Sequence, residues 1–188
     1  MVEVGTTLRY SPTVSSIESV SIRELEPHHD ERGSLTEIFR DEWSLGADPV
    51  QWNVVRSRPG TVRGVHCHPH HSDIITVAEG ELVLGLIDLR PGSLTEGRAE
   101  LHRVPAMSVV VMIPPGVAHG FLFERPTTLV YGVSEYWDMD DELSCRWDDP
   151  ELGIVWPVTA PVLSRRDRDA GSLDALRALV AARLGSGR

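Results

Sequence analysis

The sequence predicts an all-β domain, a sandwich or barrel of short strands followed by one C-terminal α-helix. The first observation behind this is a series of β-favouring runs, Ile74–Ala78, Glu81–Leu89, Ala99–Val104, Ser108–Ile113, His119–Phe123 and Thr128–Tyr136. Glu79-Gly80, Arg90-Pro91-Gly92 and Pro114-Pro115-Gly116 separate them, and many short strands joined by Gly and Pro turns suit a sandwich or barrel. The second is an alternating apolar and polar pattern from Ile17 to Phe39, broken between Pro27 and Gly33, which predicts two strands around a turn. The third is the tail. Leu173, Leu176, Leu179, Val180 and Leu184 recur at helical spacing, with Ser172 as N-cap and Gly185 as the stop.

In order along the chain, residues 1–16 are a polar, Ser/Thr-rich arm expected to gain order only by docking. Residues 17–170 form the β domain, with a helical turn at Arg40–Leu45, a strand at Val50–Ser57 and a turn at Pro59-Gly60. Asp148–Pro161 reads as irregular, and 171–188 are an amphipathic helix and tail that pack on the barrel or on a second subunit.

The chain of 188 residues fits one domain with a sizeable core, and 41% hydrophobic with 24% charged residues is ordinary for a globular protein. A formal charge of −10 argues against a nucleic-acid partner, while a few arginines can still focus on a small anionic substrate. Cys67 and Cys145 make neither a CxxC pair nor a disulfide framework. The first residues lack an apolar signal region, and the longest aliphatic or methionine run, Val109–Ile113, is far too short to span a bilayer. The expectation is a cytoplasmic protein with no membrane partner.

The chemistry concentrates at Arg63–Asp73, where His66, His68, His70, His71 and Asp73 fall within eight residues. Imidazole and carboxylate bind divalent metals and move protons near neutral pH. His66-x-His68, Asp73 and Gly80, with the later Pro114-x-Gly116-x-x-His119, resemble the two motifs of the cupin barrels, with Asp in place of the usual Glu. The resemblance implies a double-stranded β-helix, or jelly-roll barrel. It also implies that His66, His68, Asp73 and His119 point inward and hold one divalent metal. Three nitrogens and one oxygen suit Zn, Fe, Ni, Mn or Cu. His70, His71, His28, His29 and His102 are expected to face solvent without a ligand role.

A second resemblance runs along nearly the whole chain. Its blocks include Asp30-Glu31-Arg32-Gly33, Glu37, Phe39, Gln51-x-Asn53, Arg63-Gly64-Val65-His66 and Asp88-Leu89-Arg90-x-Gly92-Ser93. They continue with Ile113-Pro114-x-Gly116-x-Ala118-His119-Gly120-Phe121, Tyr131-x-Val133-x-x-Tyr136, Trp147 to Pro157 and Leu163-Ser164-x-x-Asp167. In this order they resemble the dTDP-4-dehydrorhamnose 3,5-epimerase family, a branch of the cupins. That family removes protons beside a ketone and returns them on the opposite face, which takes a base, an acid and stabilisation of an enolate. By resemblance His66 is the base, Asp167 orients it and Tyr131 is the acid. Arg32 and Arg63 hold the diphosphate, Glu37, Gln51 and Asn53 line the nucleotide or sugar pocket, and His119 sits near the sugar. The substrate is then a dTDP-4-keto-6-deoxysugar, no cofactor is needed, and the protein is a homodimer whose N-terminal strands cover the neighbour's pocket.

The chain departs from the family's pattern at four places. Asp73 replaces a lysine that helps bear the enolate charge, and His68 replaces a glutamine. Leu35 replaces an aromatic residue at the thymine, and Trp137, which can stack on a base, replaces a second tyrosine. The first two changes rebuild the cupin metal set. They leave two further readings: a metal-dependent isomerase, lyase or dioxygenase acting on another small anion, and a non-catalytic sugar-nucleotide-binding cupin. In the metal reading His66 is a ligand and cannot also be the base.

Overall fold

Alternation of apolar and polar residues is missing from the central strands because each sheet is covered on both faces. A computed structural model of the protein describes residues 8–9 and 14–185. Its strands are β1 (Leu8–Arg9), β2 (Ser21–Glu24), β3 (Pro27–Asp30), β4 (Gly33–Thr36), β5 (Gln51–Ser57), β6 (Thr61–Cys67) and β7 (Asp73–Glu79). There follow β8 (Glu81–Asp88), β9 (Ala99–Pro105), β10 (Val109–Ile113), β11 (Val117–Phe123), β12 (Thr127–Val133) and β13 (Leu143–Ser144). Two helices, α1 (Arg165–Arg168) and α2 (Leu173–Gly185), end the described chain.

One sheet has the order β1-β9-β8-β11-β6-β13 and the other β2-β10-β7-β12-β5. β7 and β8, joined through Gly80, lie in opposite sheets, as do β9 and β10, and β11 and β12. This is the jelly-roll arrangement expected of a cupin, with the two sheets facing each other and not joined into a closed barrel. Leu82, Leu84 and Leu86 of β8 point between the sheets, where Ile75, Val77, Val111, Phe123 and Leu129 complete the core. Val83 and Ile87 of β8 point the other way, onto Trp156 and the Leu173, Leu176 and Val180 stripe of α2. Behind the second sheet, Ile74, Val110 and Met112 pack against Leu25 and Leu45. Burying both sides costs a strand its period-two signature.

The expected break at Pro27–Gly33 is itself a hairpin, β3 pairing with β4 around Glu31 and Arg32. Arg40–Leu45 contains a short 3-10 turn, Asp41–Trp43. β6, which the sequence reading passed over, lies between the Pro59-Gly60 turn and the histidines. α2 forms as expected, its Ser172 Oγ accepting from Ala175 N–H at 3.3 Å. Gly185 is the last residue of the helix, not the one that stops it. Leu179 was expected on the buried stripe but is 49% exposed, because the packed positions recur at 173, 176 and 180. α1, a single turn, was not expected.

Most of the proposed arm, residues 1–7 and 10–13, lies outside the described residues, as do 186–188. The backbone of Leu8–Arg9 runs parallel to β9. Ser15 Oγ and Ser16 N–H donate to the Glu100 carboxylate at 2.7 Å and 2.8 Å, and Ile17 enters the core. His102, expected at the surface, is fully buried with Nε2 2.9 Å from Glu100. It sits on β9, which lies between β8 and β1 in the six-stranded sheet. Burial alone would raise the Glu100 pKa, but the hydrogen bonds from His102, Ser16 and Ser15 outweigh it and hold it at about 2. The folded value lies below the unfolded one. The contribution is therefore complete above the ordinary carboxylate range and disappears as the pH falls towards 2. Glu100→Gln is expected to cost about 1–3 kcal/mol at pH 7, and the difference from wild type should shrink in urea melts repeated at pH 3. An equal loss at both pH values would refute the ionic contribution.

Candidate active site

Strands from both sheets bring their polar residues to one cavity of about 410 Å³. β6 supplies Arg63 and His66, β7 supplies Asp73, β11 His119 and β12 Tyr131, while the segment around α1 supplies Ser164, Arg166 and Asp167. His119 pairs directly with His66 across β11 and β6, and the register slips before Phe121. Gly64 makes this approach possible. At φ +117°, a side chain there would put Cβ 2.9 Å from both Gly120 Cα and His119 O.

His66 Nε2 lies 2.7 Å from Asp167 Oδ1. Asp167 is 4% exposed and is held from its other side by Ser164 Oγ, which donates to Oδ2 at 2.7 Å and accepts from Asp167 N–H at 3.0 Å. That is a Ser-x-x-acid N-cap, and it aims the carboxylate. Burial would raise the Asp167 pKa, but hydrogen bonding and charge from His66, with Ser164 and Arg166, bring it below the ordinary value. An ionised Asp167 accepts a hydrogen bond from His66 Nε2–H, and in that tautomer the basic lone pair is on Nδ1. Arg166 Nη2 is 2.9 Å from His66 Nε2, and Arg166 also pairs with Glu142. The Tyr131 phenol is raised by burial and by Asp73, with Arg63 pulling the other way, so it carries its proton at neutral pH.

A second group lies in the same cavity. Asp73 Oδ2 is 3.5 Å from His68 Nε2 and 3.6 Å from His119 Nε2, and all three residues are buried. His68 Nδ1 faces the Asp141 carbonyl at 3.3 Å. Burial pushes His68 well below its ordinary pKa and His119 to about 3, so both rings are neutral. Burial and the charge of Asp141 push Asp73 up to about 8. His71 was expected to face solvent. It is 3% exposed, with Nδ1 2.7 Å from Asp141 Oδ2 and its ring stacked on His68, because the chain after β6 folds inward under Asp141. His70 is only partly exposed and lies 3.9 Å from Asp141, whereas His28 and His29 are exposed as expected.

A family profile described as dTDP-4-dehydrorhamnose 3,5-epimerase matches residues 14–175. The chain is 32% identical to the spore coat polysaccharide biosynthesis protein SpsL of Bacillus subtilis, over 74% of this chain and 96% of that one. It is 36% identical to a dTDP-4-dehydro-6-deoxyglucose 3-epimerase of Streptomyces, over 84% and 86%. Among solved structures, the 3'-monoepimerase ChmJ of Streptomyces bikiniensis in complex with dTDP-quinovose superposes with a TM-score of 0.82 at 32% identity, over 92% and 94%. The chain belongs to the dTDP-4-dehydrorhamnose 3,5-epimerase family.

Of the residues that the family resemblance assigns, His66, Asp167, Tyr131, Arg63 and His119 line one cavity. Five others do not line it within this chain. Arg32, at the tip of the β3–β4 hairpin, pairs with Asp30, and Glu37 pairs with Arg40 at 3.1 Å. Gln51 Nε2 donates to Asn53 Oδ1 at 3.0 Å, and Trp137 N–H donates to Gln51 Oε1 at 3.2 Å. The four-residue metal set is corrected as well. His68, Asp73 and His119 group together, while His66 stands outside them on Asp167. Arg166, Glu142 and Ser164 were missed. The Ser164-x-x-Asp167 capping box was the readable signal for Ser164, and nothing local marks Glu142.

Proposed function

We propose that this epimerase-family chain acts on a dTDP-4-keto-6-deoxysugar, inverting carbon beside the ketone. The observation that carries this is the His66–Asp167 pair in one cavity with a protonated Tyr131 and with Arg63. His66 Nδ1 takes the proton next to the carbonyl, and Asp167 stabilises the imidazolium. Tyr131 O–H returns a proton to the enolate from the other face, and Arg63 offers bidentate contacts to the diphosphate. Side chains alone transfer the protons, and no organic cofactor is required.

The test follows a dTDP-4-keto-6-deoxysugar in D2O by NMR. Deuterium should enter at the carbons beside the ketone with inverted product, and the labelled positions report one or two epimerisations. Tyr131→Phe is expected to slow inversion by about 10²-fold or more while leaving more of the exchange, because His66 can return deuterium to the face it deprotonated. Equal loss of both would remove Tyr131 as the second-face acid. Binding of the nucleotide sugar with no exchange at all would leave a binding protein.

The reading includes a homodimer. The β3–β4 hairpin is exposed almost throughout, and Leu35 is 64% exposed. Trp52 and Val54 lie exposed on the edge strand β5. A second copy covering this surface would carry its Arg32 to the neighbouring cavity. Light scattering after size exclusion should give twice the chain mass, and a monomer would refute it.

A further inference from the structure

We propose that His68 Nε2, Asp73 Oδ2 and His119 Nε2 form a divalent-cation site in the floor of the cavity, beside and independent of the His66–Asp167 base. The proposal rests on the epimerase reading for its role and on geometry for its existence.

The spacings are the first argument. Asp73 Oδ2 stands 3.5 Å and 3.6 Å from the two histidine nitrogens, too far for good hydrogen bonds. Two ligands held about 2.1 Å from one ion at a tetrahedral angle are separated by about 3.4 Å. Both carboxylate–imidazole distances match that spacing, and the ligand atoms of all three residues lie within 4.8 Å of one another. The residues come from three different segments, just past the end of β6, the start of β7 and the middle of β11.

Orientation is the second. The Asp141 carbonyl at 3.3 Å favours the proton on His68 Nδ1 and leaves the Nε2 lone pair towards Asp73. A backbone carbonyl behind the distal nitrogen is the usual support of a metal-bound histidine. His71 adds a second layer, with Nδ1 on Asp141 at 2.7 Å and Nε2 3.9 Å from Asp73 Oδ1. The buried Asp73 carboxylate otherwise lacks a cationic Lys or Arg partner among the described residues.

Ligand count is the third. Two imidazoles and one carboxylate leave a coordination position open, and the group lines the same cavity as His66 and Tyr131. Imidazole donors favour Zn, Fe, Ni, Co or Cu over Mg or Ca. A bound cation would supply Lewis-acid polarisation of the substrate ketone, at the place where the family resemblance leads one to expect a lysine and the chain has Asp73. His66, outside the group, remains free to take the proton.

The experiment uses the full chain without a polyhistidine tag, stripped with chelator and titrated with Co²⁺ and Zn²⁺. One equivalent should remain after desalting, by elemental analysis, and Co²⁺ should give a visible absorption band. Saturating Zn²⁺ should raise the melting temperature of wild type, a readout that needs no variant. Asp73→Asn and His119→Gln should weaken binding at least tenfold, while His66→Asn should keep the equivalent and the band. Failure of wild type to hold stoichiometric metal overturns the site, and so does loss of metal in His66→Asn. Deuterium exchange on the stripped and loaded protein separates the two readings. Metal held with no exchange in either state leaves the site standing and removes the epimerase. Exchange in stripped protein that holds no metal does the reverse.

Discussion

His66→Asn is expected to slow deuterium uptake into a dTDP-4-keto-6-deoxysugar by about 10³-fold, within the range for removing a general base. Asparagine keeps the size and a donor for Asp167 but has no basic nitrogen. Asp167→Asn is expected to fall by about 10²- to 10⁴-fold, as when the carboxylate behind a catalytic histidine is neutralised. The mechanism is the same in both cases. Asp167 sits 2.7 Å from Nε2 and sets which nitrogen carries the proton. Because the two act as a unit, the double variant should be little worse than His66→Asn alone. Single-turnover NMR, with the protein in saturating excess over the sugar nucleotide, measures the chemical step directly. Uptake within tenfold of wild type in His66→Asn would assign the base elsewhere.

Trp156→Ala is expected to destabilise the fold by about 3–5 kcal/mol. Trp156 is 7% exposed in the core between the six-stranded sheet and α2, and its Nε1–H donates to the Trp147 carbonyl at 2.9 Å. The ring lies over two glycines on adjacent strands. A Cβ at Gly85 would stand 2.6 Å from Trp156 Cη2, and one at Gly120 would stand 3.0 Å from Cζ2. Removing the ring leaves a void over a floor that has no side chains to fill it. Gly85→Ala tests the same packing from the other side and should cost about 1–3 kcal/mol by overpacking. Urea melts followed by circular dichroism measure both. A Trp156→Ala loss below 1 kcal/mol would mean that the layer between α2 and the sheet is not closely packed.

Most strands could be read from β-favouring runs between Gly and Pro turns, because turn chemistry is local. β6 could not. Its residues, Thr61 to Cys67, mix a glycine, an arginine and a histidine, and what makes them a strand is pairing with β11 and β13. The histidines divide in the same way. His66 and His68 could be picked out by spacing, but His71 and His102 were misplaced: His71 is buried against Asp141, distant in sequence, and His102 lies inside the sheet on Glu100, whose carboxylate also takes Ser15 and Ser16. Spacing also put His66 and His68 into one ligand set. The structure separates them, because His66 lies within β6 and reaches Asp167 while His68 lies just beyond the strand and turns to Asp73. Arg32, Glu37, Gln51, Asn53 and Trp137 were matched by family pattern, and a single chain does not gather them at the cavity.

The turn that carries Asp167 is four residues long, and an isolated helix of that length has no stability of its own in water. It is held by contacts to other parts of the chain: the Ser164 cap, the His66 ring, the Arg166–Glu142 pair and, just before it, Val162 hydrogen-bonded to Gly60 and Val62. Docking of Asp167 on His66 is therefore expected to be separable from assembly of the sheets. Undocking of this segment from an intact jelly roll would leave His66 with no carboxylate behind it. Conditions that loosen this docking would silence the enzyme before they unfold it, so the midpoint of inactivation in urea should precede the midpoint of the circular-dichroism transition.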